Sequence, residues 1–519
     1  MDISCSIGII DIGSNSIRLA IYEQRKNGAY RVISEFKESA RLSGRIAADG
    51  SLPPSEIERL ISTLMHFKRI CLAHGVEKCR VAATAAIRNA TNSQEIVDQL
   101  SRATGFPIEI LSGEDEARIG FLGMAHTMDI PDGFLVDIGG GSTEVSLFRE
   151  GKRLRSMSFP FGAVNTTRKF APNGEFQEEQ LRSIRAMAEQ AFAQEPWIKE
   201  ASGLPLVGLG GAIRTLCKIN QRKKKYSLQT THNYIISAAD MDELVHWLTK
   251  LSGEKRKKVD GLAKDRHDII VPGLLILHTL FQATGAKHYV VSGAGLRDGL
   301  FFESFEQTDA AEANRPVAER SVDNLLALHS TAPPAHSAFV CETALMLYDA
   351  AANAGLHKYD SRIRLCLQTA AKLYRIGASI NYYQYAKHSF HMIANTRIDG
   401  LSHREILLAA FIATFKTKPR TKQQYVPYKD ILQESDVDLI ARLGFLLRLS
   451  IALDISETQP FELTRVVSEG GSLQLQLQTK HDPSAECREV EGLLKEFKKA
   501  WGIPIQTQVT LLEPTLSTN

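Results

Sequence analysis

The chain carries nearly the same phrase twice. Residues 7–19 read IGIIDIGSNSIRL and residues 134–147 read FLVDIGGGSTEVSL. Each copy runs from a short apolar stretch through Asp-Ile-Gly and two small residues to a Ser, then into a second alternating stretch. That order predicts strand, tight turn, strand, with a carboxylate ending the first strand. Gly13, Asn15, Gly139, Gly140 and Gly141 are residues that tolerate positive φ. The turns are therefore expected to adopt it and to aim their N–H groups one way. Such a nest binds anions, phosphate above all. Asp11 and Asp137 stand beside the two nests, where a carboxylate holds a divalent cation directly or through water. Two facing phosphate clips point to a phosphoryl-transfer enzyme with its site between two related α/β halves.

Composition excludes several alternatives. A chain of 519 residues is expected to form several domains. Its 44% apolar and 23% charged residues are those of an ordinary globular protein, and a net charge of +3 is too small for a nucleic-acid binder. Seven cysteines are scattered without CxxC or zinc spacing, so they read as free thiols of a reducing compartment. The N-terminus enters a strand without a leader pattern, and no apolar run spans a bilayer. A cytoplasmic protein is expected.

Periodicity places the motifs. Strands are expected at IGIIDIG, IRLAIYEQ and YRVISEF, at 76–83 and at PIEILS, with helices at 55–74, at 95–104 and over GEDEARIGFLGMAHTM. The second half repeats the hairpin, then a helix at 178–194, the strand LPLVGLGG, the strand HYVVSGAGL and the helix RDGLFFESF. A polar, Ala-rich linker is expected over 305–319, almost pure helix over 320–456, and short strands around a charged helix over 457–519, with 515–519 frayed.

The paired DIGSNS and DIGGGSTE clips, together with SGEDEAR, VGLGGAIRTL and VSGAGLRDG, resemble the exopolyphosphatase/guanosine pentaphosphate phosphatase (Ppx/GppA) family. That family lies in the actin, sugar-kinase and heat-shock ATPase superfamily. The resemblance implies two duplicated actin-like (ribonuclease H-like) α/β halves, 1–125 and 126–307. It further implies an α-helical HD-like domain at 320–456 and a small α+β module at 457–519. Glu116 in SGEDEAR matches the family's general base, which orients the attacking water and takes its proton. Unaided, Glu114, Asp115 and Glu116 would equally be helix-start acids; Glu114 and Asp115 are left in that role. Asp137 and Glu144 match the metal-associated acids, with Asp11 reaching the metal through water. The cation expected is Mg2+, with Mn2+ the alternative. Ser14, Asn15, Ser16, Gly140, Gly141 and Ser142 are the implied phosphate donors, and Arg88 the phosphate-contacting guanidinium. Asn89 departs from the acid that often follows this Arg. Gly208, Gly210 and Gly211 stand where nucleotide-binding relatives hold adenosine and are expected here only to line the cleft, while Gly293, Gly295, Arg297 and Asp298 close the second half, with Arg297 equally suited to a structural role.

Three basic runs, at 222–225, 255–258 and 416–422, form a polyanion track if they share a face. In the helical region, Tyr374 and Arg375 stand where an HD metal site would have a His and an acid. Neither suits a metal. His388 and His391 remain as a pair better read as structural, and no second metal site is expected. The region is assigned to dimerisation and polymer holding. The reading is thus a metal-dependent exopolyphosphatase acting on inorganic polyphosphate as a homodimer. Hydrolysis of guanosine pentaphosphate at the same residues is the alternative; a superfamily kinase or a non-catalytic sensor ranks lower.

Overall fold

The alternating apolar residues around each glycine phrase build a hairpin, and each hairpin seeds a sheet. In the computed structural model, which describes residues 5–305, 315–469, 471–479 and 481–512, the first sheet holds β1 (Cys5–Ile12), β2 (Ser16–Gln24), β3 (Tyr30–Ser39), β4 (Lys78–Ala83) and β5 (Ile108–Ile110). Its order is β3-β2-β1-β4-β5, antiparallel from β3 to β1 and parallel beyond. The second sheet holds β6 (Gly133–Ile138), β7 (Thr143–Arg149), β8 (Lys152–Phe159), β9 (Leu206–Leu209), β10 (Tyr234–Ile236) and β11 (Tyr289–Val291). Its order, β10-β11-β9-β6-β7-β8, repeats the first with one antiparallel edge strand added. Each carboxylate phrase therefore ends a central strand.

Both faces of each sheet are covered. Ile9 and Ile10, neighbours in β1, are both fully buried, as expected of a central strand between helical layers. Helices Pro54–Ala73 and Ser93–Thr104 cover one face of the first sheet. The other face meets Ile119 of helix Gly113–Ala125 and Leu300, Phe301 and Phe302 of helix Leu296–Phe305. That last helix follows the second sheet in sequence yet packs on the first: Tyr22 stacks on Phe301 with ring centroids 4.0 Å apart. Helix Gly113–Ala125 also touches the second sheet, where Met124 and Phe121 meet Leu135, Phe148 and Leu209. Its glycines allow the approach; a Cβ on Gly123 would lie 2.5 Å from the Gly295 carbonyl oxygen. The helix that begins with SGEDEAR is thus wedged between the sheets.

The chain divides into two compact units, residues 1–317 and 318–519. The second is helical, as its periodicity predicts, from helix Pro334–Asn353 to helix Asp436–Ala452. It ends in a three-stranded sheet of β12 (Phe461–Glu469), β13 (Ser472–Thr479) and β14 (Ile505–Leu511). Between β13 and β14 lies helix Ser484–Trp501, whose Trp501 Nε1 donates to the Arg442 carbonyl at 3.1 Å. Of the linker expected over 305–319, residues 306–314 fall outside the described residues, as does the tail at 515–519, and helix Val317–Leu328 takes up the linker's last positions. No described helix is long and apolar enough to cross a membrane.

Candidate active site

The two hairpin tips meet, and a cleft opens beside them. Gly13 N–H donates to the Ser16 carbonyl at 3.2 Å, and Gly139 N–H to the Ser142 carbonyl at 3.0 Å. The tips need glycine for a reason other than the one expected. None of Gly13, Asn15, Gly139, Gly140 or Gly141 has positive φ. What demands glycine is contact: a Cβ on Gly140 would lie 2.9 Å from Ser14 Cβ, and one on Gly141 would lie 2.7 Å from Ser43 Oγ. The glycine with positive φ is Gly210 (φ +78°), where a Cβ would strike Asp137 Oδ1 at 2.3 Å.

The cleft is lined by Asp11, Ser14, Asn15, Ser16, Glu116, Asp137, Gly140, Ser142 and Glu144, among others. It encloses a cavity of about 130 Å3. Asn15 is buried, and its Oδ1 and Nδ2 have no hydrogen-bond partner; a buried amide left in this state marks a place for a ligand.

Strand register separates the two hairpins chemically. In the first, Asp11 faces Arg18 across the ladder; in the second, Asp137 faces Glu144 at the equivalent position. Directly opposed like charges repel. Glu144 is buried and Asp137 half-buried, and Ser158 Oγ donates to Glu144 at 2.8 Å. Burial pushes Asp137 up to about 6 against the pull of Arg214, with Asp11 adding to the rise. Burial likewise pushes Glu144 up to about 7, opposed by hydrogen bonds from Ser142 and Ser158 and reinforced by Asp137. Asp11 is raised by burial against Arg297 and Arg18. Among the described residues no three His, Cys, Asp or Glu side chains form a closed metal cage. One opposed acid pair beside an open cleft fits Mg2+, which keeps several waters and takes one or two protein carboxylates plus phosphate oxygens.

Glu116 sits in the first turn of the wedged helix. Ser112 caps that helix by accepting from the Asp115 N–H at 3.0 Å. Glu114 pairs with Arg153 at 2.6 Å, so the first two acids of the run are engaged away from the cleft. Glu116 is held well above the carboxylate range by burial and then by Glu144, with Arg88 opposing. Arg88 does not line the cleft. Its guanidinium pairs with Glu116 and donates to the Leu111 carbonyl at 2.7 Å.

Opposite the acids stand four guanidiniums: Arg18, Arg214, Arg266 and Arg297. Arg214 bonds the Gly210 and Gly293 carbonyls at 2.9 and 3.2 Å, and burial lowers it to about 10. Arg266 lies over Gly211, where a Cβ would strike its Nη2 at 2.0 Å. Sequence reading missed Arg18, Arg214 and Arg266. Arg18 was within reach, because it lies seven residues after Asp11 as Glu144 lies seven after Asp137; Arg266 comes from a loop with no motif. Gly295 and Asp298 line the cleft, and Asp298 accepts from the Gly295 N–H at 2.8 Å. At the rim Arg297 pairs with Glu35, Lys37 with Asp265, and Arg41 with Asp268 at 2.5 Å.

Several lysines of the basic runs are answered by acids. Lys223, Lys224, Lys257 and Lys422 pair with Glu243, Asp240, Glu254 and Glu434, and Lys418 with Asp438. Arg256 is fully buried, its guanidinium 5.0 Å from the Phe176 ring centre. In the second unit the residues that gather around Tyr374 are ones the sequence did not flag. His336 Nδ1 bonds Asp454 at 2.7 Å and its Nε2 bonds Tyr374 Oη at 2.6 Å, all three buried. Arg375 pairs with Glu457. His388 is half-buried and His391 exposed.

Sequence comparison agrees with this geometry. A profile described as the Ppx/GppA phosphatase family matches residues 20–308, and one for domain III of the same phosphatases matches 317–494. Exopolyphosphatase 1 of Mycobacterium tuberculosis is 25% identical over 304 residues, 58% of this chain and 88% of the relative. The crystal structure of the Aquifex aeolicus Ppx/GppA family member aligns with a TM-score of 0.52 at 27% identity, covering 59% of this chain and 100% of that one. An exopolyphosphatase structure from Cytophaga hutchinsonii (TM-score 0.53, 22% identity, 59% of this chain and 99% of the other) shows the same fold. The chain is an enzyme that belongs to the Ppx/GppA phosphatase family.

Proposed function

We propose that this enzyme hydrolyses the terminal phosphoanhydride of linear inorganic polyphosphate and releases orthophosphate. The observation that carries the reading is the lining of the cleft. Five carboxylates and four guanidiniums line it beside the two hairpin tips, and no aromatic residue is among the described residues lining it. A nucleobase asks for a stacking face or an apolar slot; a chain of phosphates asks only for N–H groups, hydroxyls and cations. The exopolyphosphatase of Mycobacterium tuberculosis supports the reading by likeness.

In this scheme the N–H groups and hydroxyls of Ser14, Asn15, Ser16, Gly140, Gly141 and Ser142 hold the terminal phosphoryl group. The Asn15 amide finds there the partners it lacks. Asp137 and Glu144 hold the divalent cation, with Asp11 reaching it through water. The cation, when bound, offsets the repulsion between their charges and those of the phosphate. Glu116 accepts a proton from the attacking water as the new O–P bond forms. The anhydride P–O bond breaks, and its electron pair stays on the shortened chain. A base lifted toward neutrality is matched to proton transfer near pH 7. Arg88 fixes the orientation of that carboxylate and keeps it ionisable; contact between Arg88 and the phosphate follows only if it exchanges partners when substrate binds. The two sheets serve as actin-like halves, 1–125 and 126–307, apart from helix Leu296–Phe305. The 320–456 region serves as an HD-like domain whose metal position is filled by the Tyr374–His336–Asp454 chain, with 457–519 appended to it.

The test is phosphate release from long-chain polyphosphate and from guanosine pentaphosphate, side by side with Mg2+, for wild type and Glu116→Gln. Release mainly from the polymer, reduced about 10²–10⁴-fold by the substitution, is expected. Release mainly from the nucleotide moves the substrate and keeps the chemistry. Full activity in Glu116→Gln removes the base assignment.

A further inference from the structure

Two thiols meet on the face of the first sheet covered by helix Pro54–Ala73, and a third lies on the other face. Cys5 begins β1, Cys71 lies in the last turn of helix Pro54–Ala73, and Cys79 lies in β4. β1 and β4 run parallel with Gly8 opposite Cys79. Gly8 has no side chain, and sulfur occupies the space one would fill. A Cβ there would meet Cys79 Sγ at 3.2 Å and Cys71 Sγ at 3.4 Å, with Val76 Cγ1 closing the hollow at 3.2 Å. The two sulfurs therefore converge on one point. A hydrogen bond between them holds the Cys71 thiol below its ordinary range and pushes Cys79 above, so the pair gives up its first proton as a unit. Cys71 is 4% exposed and Cys79 half-buried, and both pack on that same helix-covered face of the sheet.

We propose that Cys71 and Cys79 form a redox-active dithiol that closes to a disulfide by exchange with a small-molecule disulfide. The pair loses a proton, the remaining proton passes to Cys71 across the hydrogen bond, and the Cys79 thiolate attacks one sulfur of the small disulfide. Its S–S bond breaks and the first small thiolate leaves, taking up the proton first lost. Cys71 then loses its proton and attacks the Cys79 sulfur of the mixed disulfide. The second small thiolate leaves with that proton. Two protein thiols are oxidised by two electrons, and one small disulfide is reduced to two thiols. Cys71 resolves the adduct because it is the sulfur already beside Cys79. The segment between them has the freedom to adjust, with Leu72 69% exposed and Gly75 at φ +62°.

The experiment incubates the purified full chain with oxidised glutathione, quenches in acid, alkylates under denaturing conditions and maps the peptides. Free thiols are expected to fall from the seven of the reduced chain by two, with Cys71 and Cys79 in one linked peptide. In Cys71→Ser the reaction stops at a glutathione adduct on Cys79; in Cys79→Ser, Cys71 stays free. A glutathione adduct on Cys79 that persists in the wild type, a Cys5–Cys79 bond, or seven thiols left unreacted overturns the proposal.

Discussion

Replacing Glu144 by Gln separates the stability of the site from its chemistry. Burial and the opposed Asp137 displace the Glu144 carboxyl from 4.5 to about 7. Its proton is then held more tightly in the folded chain by about 3 kcal/mol, at about 1.4 kcal/mol for each tenfold change. The sign follows from which state binds the proton. Below pH 4.5 the carboxyl is protonated folded and unfolded, and its stabilising contribution is fully present. That contribution is lost as pH rises through about 7, because the folded chain must then hold a buried charge. Gln keeps the shape and accepts from Ser158 without ever ionising. At pH 8 without divalent cation, Glu144→Gln is therefore expected to be more stable than wild type by about 3 kcal/mol, a midpoint rise of about 5 °C for a unit of this size. The difference closes toward pH 4.5. Asp137, displaced from 3.8 to about 6, adds the same trend at lower pH. Thermal unfolding from pH 5 to pH 8.5, with and without Mg2+, is the assay. Mg2+ should raise the wild-type midpoint and leave the variant's nearly unchanged, while the variant loses phosphate release. A variant no more stable than wild type at pH 8, or a gap that does not depend on pH, would refute the reasoning.

Two further outcomes test other parts of the site. Arg88→Ala removes the cation that opposes the rise at Glu116, so the acidic limb of the pH–rate profile moves to higher pH and kcat falls about tenfold or more; Arg88→Lys restores part of both. Gly141→Ala places a methyl group 2.7 Å from Ser43 Oγ and 2.9 Å from Ser14 Oγ. It is expected to destabilise by about 1–3 kcal/mol in denaturant unfolding and to lose activity out of proportion to that change.

What could be read from the sequence was local. Strand period, the helix between the motifs and the order of elements all followed from spacing within a dozen residues. Chemistry that depends on register was half legible: the DIGGGSTE phrase shows Asp137 and Glu144, but that they oppose each other, and that Arg18 takes the equivalent place in the first copy, needs the pairing of β1 with β2 and β6 with β7. The glycines were recognised and their reason misjudged, because a tip that touches another tip leaves no local trace. The partners of the charge runs were hidden for the same reason, since the acids that answer Lys223 and Lys224 lie on the neighbouring helix Ala238–Lys250. Arg266 and the His336–Asp454 pair, the latter 118 residues apart, are brought to their places by tertiary structure alone.

The contact between hairpin tips gives the cleft a fulcrum. Gly140 and Gly141 rest on Ser14 and Ser43 with no charge involved, so added salt leaves that contact as it is. The rim is joined differently, by the Glu35–Arg297, Lys37–Asp265 and Arg41–Asp268 pairs. The Lys37–Asp265 and Arg41–Asp268 pairs are half-exposed, contribute about 0–1 kcal/mol each and weaken as the Debye length shortens, whereas Arg297 is only 12% exposed and its pair is screened less. Ionic strength therefore acts on the outer ion pairs and spares the contact between the tips.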